Sequence, residues 1–157
     1  KKNVRKGIEE EKRNEMKERR RADIINAMIK KTKVELPEVL VSWEVVKIMD
    51  EFGVRIEKTG TKLDEYLDKI KKKKEDLEKE WRLEAVQRVK AALILEKLAK
   101  DNDIEVPNEE IEKEMNKTVQ YYKKIKDAEK NIDLGKLYNY VKGVLLNEKI
   151  FQFLESL

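Results

Sequence analysis

Pro37-Glu38-Val39-Leu40-Val41-Ser42-Trp43-Glu44-Val45-Val46-Lys47-Ile48-Met49-Asp50-Glu51-Phe52-Gly53-Val54-Arg55-Ile56-Glu57-Lys58 is the stretch whose reading decides the fold. Val41, Val45, Ile48, Met49, Phe52 and Ile56 follow one another at intervals of 4, 3, 1, 3 and 4 residues, the 3.6-residue period of a helix with one buried stripe. Pro37 suits the first position of that helix, where its missing N–H costs nothing. The stripe runs through Gly53, so the helix extends to about Lys58. Val39, Trp43 and Val46 widen the apolar arc, and a helix apolar over so wide an arc touches two partners, or one partner and a client.

The same period extends in both directions from this stretch. Upstream, a helix from about Asn3 to Thr32 has a polar front half, with Val4, Ile8 and Met16 as isolated apolar points. Its back half is apolar, with Ala22, Ile24, Ile25, Ala27, Met28 and Ile29. The front half therefore lies on a surface or pairs with a domain outside this sequence. Downstream, Thr59-Gly60 ends the helix, and Thr61-Lys62-Leu63-Asp64 resembles a capping box. A short helix with Leu63, Tyr66, Leu67 and Ile70 follows, then a basic turn at Lys71 to Lys74. A long helix from about Glu75 to Lys100 carries Trp81, Ala85, Val86, Val89, Ala92, Leu93 and Leu98. Pro107 and the acids after it open another helix, striped by Ile111, Met115, Val119 (or Thr118) and Tyr122. A polar link spans Lys123 to Asn131. Asp133 caps a last helix containing Leu134, Leu137, Tyr138, Val141, Leu145, Ile150, Phe151 and Leu154. No strand pattern survives, and the fold class expected is all-α: an elongated multi-helix module.

Composition agrees with this pattern. In 157 residues, 45% are charged and 39% hydrophobic, with 5 glycines and 2 prolines. The charged share far exceeds the roughly 25% of an average globular domain. Such a chain builds thin helical layers with large solvated faces and no thick spherical core. Periodic apolar residues that include Trp, Phe, Tyr and Ile exclude disorder over most of the length.

The chemistry available is narrow. There are no cysteines and no histidines, which removes disulfides, the usual zinc sites, thiol nucleophiles and the commonest general base. No Gly-rich phosphate loop, HExxH, CxxC or nucleophile elbow occurs. The carboxylates read as solvated helix faces. We expect no catalytic residue, no cofactor and no metal. No apolar run is long enough to span a membrane, and no signal peptide is visible. The chain starts at Lys1 in what already reads as helix, which suggests a piece of a longer protein. Residues 1–33 hold 13 Lys/Arg against 6 Asp/Glu, whereas the remainder holds 24 against 27. The basic end reads as a solvated face with interleaved acids, with nucleic-acid contact as the competing reading.

One further pattern is the order of segments. Ile8-Glu9-Glu10-Glu11-Lys12-Arg13 leads into Arg21-Ala22-Asp23-Ile24-Ile25-Asn26-Ala27, then Val34-Glu35-Leu36-Pro37-Glu38-Val39-Leu40-Val41. Gly60 precedes Leu63-Asp64-Glu65-Tyr66-Leu67. Then come Ala85, Arg88-Val89-Lys90 and Leu93-Ile94-Leu95-Glu96-Lys97-Leu98-Ala99, followed by Ile104-Glu105-Val106-Pro107-Asn108-Glu109-Glu110-Ile111. The chain closes in Glu148-Lys149-Ile150-Phe151-Gln152-Phe153-Leu154. This succession resembles the C-terminal domain of bacterial trigger factor, the ribosome-associated chaperone, over essentially the whole chain. Pro107 departs from the Ser or similar cap common at that place in the family.

The resemblance implies a body, about residues 1–45 and 136–157. Two helical arms would project from it, about 46–104 and 105–135. It implies a cytoplasmic chaperone domain that binds and shields unfolded or nascent polypeptides, with weak self-association as a further expectation. The parent's ribosome-binding tail and peptidyl-prolyl isomerase domain would lie before Lys1, so neither activity is carried onto any residue here. Membrane contact is not expected, and nucleic acid is the minor alternative. A helical scaffold for one dedicated partner is the second reading. The client-binding residues expected are Met49, Phe52, Ile56, Trp81, Met115, Tyr122 and Tyr138. Trp43 and Trp81 are expected to anchor helix crossings, unless one of them faces a groove used by clients.

Overall fold

A computed structural model describes residues 2–123 and 133–157, with side chains described from Gly7 to Tyr122 and from Asp133 onward. Among the described residues there are six helices and no strand: α1 (Lys2–Lys31), α2 (Glu38–Glu57), α3 (Leu63–Ile70), α4 (Lys74–Asp101), α5 (Asn108–Lys123) and α6 (Leu134–Ser156). The all-α class expected from the periodicity is the class observed. The polar link expected over 123–131 falls almost wholly outside the described residues.

The helix ends differ from expectation in two places, each for a local reason. Pro37 does not occupy the first turn of α2 but the cap, with φ −58° and ψ 129°. From there its carbonyl accepts the Leu40 and Val41 N–H groups at 3.0 and 3.5 Å. The capping box expected at Thr61 does not form. The cap of α3 is Lys62, which makes no side-chain capping bond, so Asp64 falls too early in the first turn for that pairing. Asp133 caps α6 as expected, with Oδ1 accepting the Lys136 N–H at 3.0 Å. Among the described residues, Gly60 (φ 81°), Lys71 (φ 54°) and Asp103 (φ 50°) turn the chain through the left-handed region. Behind Asp103, the Ile104 N–H reaches back to the Ala99 carbonyl at 2.9 Å, closing α4 with a Schellman-type bond.

The chain forms two compact units, residues 1–94 and 95–157, with the boundary inside α4. In the first unit the α2 stripe makes two neighbouring clusters. Val41, Val45 and Ile48 pack on Ala85 of α4, flanked by Leu36, Trp81 and Val86. Met49 packs with Leu67 of α3 and Leu77 of α4, flanked by Phe52, Leu63 and Trp81. Trp81 touches both clusters and so joins α2, α3 and α4. Phe52 meets it edge-on at 5.0 Å and meets Tyr66 at 5.6 Å, an arrangement that adds to simple area burial. In α1, residues 7–20 are all exposed, while Ile29 is buried and Ile24, Ile25 and Met28 are half-buried.

Charges lock α2 onto α4 along the edges of this core. Arg82 grips both carboxylate oxygens of Glu38 at 2.6 and 2.5 Å. Arg88 donates to Glu84 of its own helix at 2.8 Å and to Glu51 of α2 at 2.9 Å. Bidentate and networked guanidinium contacts of this kind are the surface ion pairs that hold geometry best. In the second unit α5 packs on α6, with Ile111 and Ile150 fully buried. Lys149 pairs with Glu110 at 2.8 Å, and Tyr138 Oη donates to Asn108 Oδ1 at 2.9 Å.

Candidate functional site

On α2 one side is filled by packing and the other is not. At roughly 100° per residue, Val39, Trp43, Val46 and Val54 lie on the side of the helix opposite Val41, Val45 and Ile48. All four are exposed, Trp43 to 74%. A tryptophan left that open removes little apolar area from water within the described structure, so the fold gains little from its size. The expected role of Trp43 as a crossing anchor is therefore corrected: Trp81 anchors the crossing of α2, α3 and α4, and Trp43 faces outward.

Beside this stripe runs a groove of about 450 Å³ between α2 and the start of α4. Val45 and Val46 form its floor, Glu75, Glu78 and Lys79 its rim, and Arg82 one wall. Val46 belongs to both the stripe and the groove, which makes them one continuous apolar surface. The Glu38–Arg82 pair stands at its edge. The Arg82 hydrogen bonds hold the Glu38 carboxyl below its ordinary value, and Glu38 in turn raises Arg82. Both groups therefore stay charged across the neutral range, and the rim keeps its water.

The seven residues expected to meet clients fall in different environments. Met49 is 3% exposed and belongs to the core with Leu67 and Leu77. Its position on the inner face of α2 closes it off in this conformation. Phe52, Ile56 and Trp81 are half-buried in the first unit, with Phe52 and Trp81 in ring contact. Met115 is half-buried in α5, and Tyr122 is exposed near its end, edge-on to Tyr121. Tyr138 is half-buried, its hydroxyl given to Asn108. The structure thus brings Met49, Phe52 and Trp81 together but as packing, not as an open face. Val39, Trp43, Val46 and Val54 were not among the seven, although the first three were read as widening the apolar arc of α2 toward a second partner or a client. Leu83, Tyr140 and Val144 are further exposed apolar residues that the sequence reading did not single out.

Among the described residues no group of His, Cys, Asp or Glu could hold a metal ion. Among them also, no helix is long and apolar enough to cross a membrane.

Comparison with known proteins adds the family. The family described as "Bacterial trigger factor protein (TF) C-terminus" matches residues 1–156. A trigger factor of Alkaliphilus oremlandii (strain OhILAs) is 29% identical over 148 residues, covering 94% of this chain and 35% of the relative. One from Agathobacter rectalis is 31% identical over 122 residues, covering 78% and 28%. One from Geobacillus kaustophilus (strain HTA426) is 32% identical over 134 residues, covering 85% and 31%. The chain thus spans about a third of the length of the curated relatives it matches. No solved structure matches it. With the family match running along residues 1–156, the chain belongs to the bacterial trigger factor C-terminal family, a chaperone-type domain and not a catalytic one.

Proposed function

We propose that this chain binds and shields unfolded or nascent polypeptides through exposed apolar surface, with the outer face of α2 as the principal contact. One observation carries the reading. Val39, Trp43, Val46 and Val54 are exposed on a helix whose inner face is already full. An apolar stripe that the fold does not use, rimmed by charge, is the usual mark of a surface kept for another chain. A tryptophan among small β-branched residues suits contact with many different apolar side chains, since it offers a large area without demanding one shape. Interleaved acids and bases around it oppose self-association.

Phe52, Ile56, Trp81, Met115, Tyr122 and Tyr138 are secondary contacts in this proposal, reached by clients at their exposed edges. Met49 serves the core. We extend the proposal to the family's division into a body, about 1–45 and 136–157, and two arms, about 46–104 and 105–135. In the parent protein the domain would act in the cytoplasm. Ribosome contact and prolyl isomerase activity would belong to parent segments upstream of Lys1.

Aggregation of a chemically unfolded model protein, followed by light scattering, tests the proposal. The chain should suppress aggregation at a few-fold excess. A Val39→Ser, Trp43→Ser, Val46→Ser triple variant should lose most of that effect with its helicity intact. Full suppression by the triple variant would move the contact elsewhere. A second reading, a scaffold for one dedicated partner, draws on the exposed stretch of α1 over residues 7–20, where Ile8 and Met16 face solvent. It predicts one saturable partner and no general holding activity.

A further inference from the structure

A second depression, of about 810 Å³, lies in the first unit between the end of α1, the segment leading to α2 and the middle of α4. Its floor includes buried Ile29 and half-open Val34, and its rim carries Lys30, Lys33 and Lys90 against the single acid Glu35. The rim is thus mainly basic and has few acids in reach. Some cations of the chain pair with acids three or four residues away, as Arg88 does with Glu84 at 2.8 Å, Lys117 with Glu114 at 2.7 Å and Lys47 with Glu44 at 3.9 Å. Lys30 has Asn26, Ala27, Lys33 and Val34 at those positions, and Lys90 has Val86, Gln87, Leu93 and Ile94. Both windows that line the depression, residues 24–34 and 85–95, contain no acid at all. No ion pair among the described residues involves Lys30, Lys33 or Lys90.

A simpler account is that lysines complement the negative end of α1. It fits Lys30 but not Lys90, which sits in the middle of α4 with its stem half-buried. The end of α1 is also closed by Thr32, whose N–H and hydroxyl both donate to the Met28 carbonyl, at 2.9 and 2.8 Å. What sets Lys30, Lys33 and Lys90 apart is their convergence from three segments on one apolar floor.

We infer that this depression selects client segments in which apolar side chains are flanked by aspartate or glutamate. The inference rests on the client-binding reading and adds a chemical class to it. The apolar side chains would cover Ile29 and Val34, and the flanking carboxylates would pair with Lys30, Lys33 and Lys90. Such a site complements the α2 surface, whose rim mixes acids with bases. It lets one chaperone domain hold acidic stretches that a neutral groove would leave to water.

The test uses the 157-residue chain and three labelled twelve-residue peptides. Each has a central Leu-Phe pair, flanked by Glu, Ser or Lys, and binding is read by fluorescence anisotropy at low and at physiological salt. The Glu-flanked peptide should bind about tenfold more tightly than the Lys-flanked one at low salt, with the gap narrowing as salt rises. Lys30→Gln, Lys33→Gln, Lys90→Gln together should cancel the preference, and the corresponding Lys→Glu triple should invert it, both with unchanged helicity. Equal binding of the three peptides, or a preference that survives either triple, overturns the inference and leaves general client binding standing. Failure of every peptide to bind overturns both. A single-stranded oligonucleotide of matched charge that binds as tightly as the Glu-flanked peptide, and is lost in the Gln triple, makes this a polyanion site and also overturns it.

Discussion

Two residues six positions apart on α2, Trp43 and Met49, show how phase decides role. Both are large and apolar, yet one stands in water and the other is sealed by Leu67 and Leu77. Met49→Ala should therefore cost about 2–4 kcal/mol in urea unfolding, because it leaves a cavity among three helices. Trp43→Ser should change stability by no more than about 0.5 kcal/mol, since it breaks no packing. Equal costs for the two would contradict the assignment of inner and outer faces. Gly53 has room for a methyl group. A Cβ there would meet only Leu63 Cδ2, at an ordinary 3.8 Å. Gly53→Ala should then stabilise the chain by about 0.5–1 kcal/mol through helix propensity alone, as calorimetry would show.

Between elements, the α2–α4 pairing joins an apolar seam to a charged edge, and the edge makes it sensitive to pH. Arg88 holds the Glu51 carboxyl below its ordinary value near 4.5, chiefly by hydrogen bonding, and Arg82 does the same to Glu38. A carboxyl whose folded value is depressed adds stability above its unfolded value and loses it as pH falls through the folded one. The chain should thus be steadier at neutral pH than below about pH 4. In Glu51→Gln that acid-side loss should be smaller, measured as the urea midpoint against pH; an unchanged profile would mean the Arg88 network contributes nothing. Element ends offer a separate check. Lys71 terminates α3 in the left-handed region at a steric cost a glycine avoids. Lys71→Gly should raise stability by up to about 1 kcal/mol in the same titration.

At the scale of the whole chain, what the residues reveal depends on period and what they hide depends on partners. All six helices were legible, because a 3.6-residue stripe recurs wherever one face is buried. The Asp133 cap was legible from its chemistry, and the family from the order of segments. The Thr61 cap was misread because start signals tolerate a one-residue shift that the backbone does not. The candidate surface was only half legible. Period locates an apolar face, but Val39, Trp43 and Val46 look the same in sequence whether a neighbouring helix covers them or water does. The lysines at the α1–α4 depression were hidden for a different reason. Lys30 and Lys90 are 60 positions apart in the chain, and only the fold makes them neighbours. The central claim is that Trp43 and its outward stripe are where clients bind. It is tested most directly by Trp43 fluorescence in a Trp81→Phe variant titrated with a permanently unfolded polypeptide. The account predicts a shift to shorter wavelength and protection from an aqueous quencher as the client binds. Emission and quenching that stay those of a fully exposed tryptophan while the client is bound would contradict it.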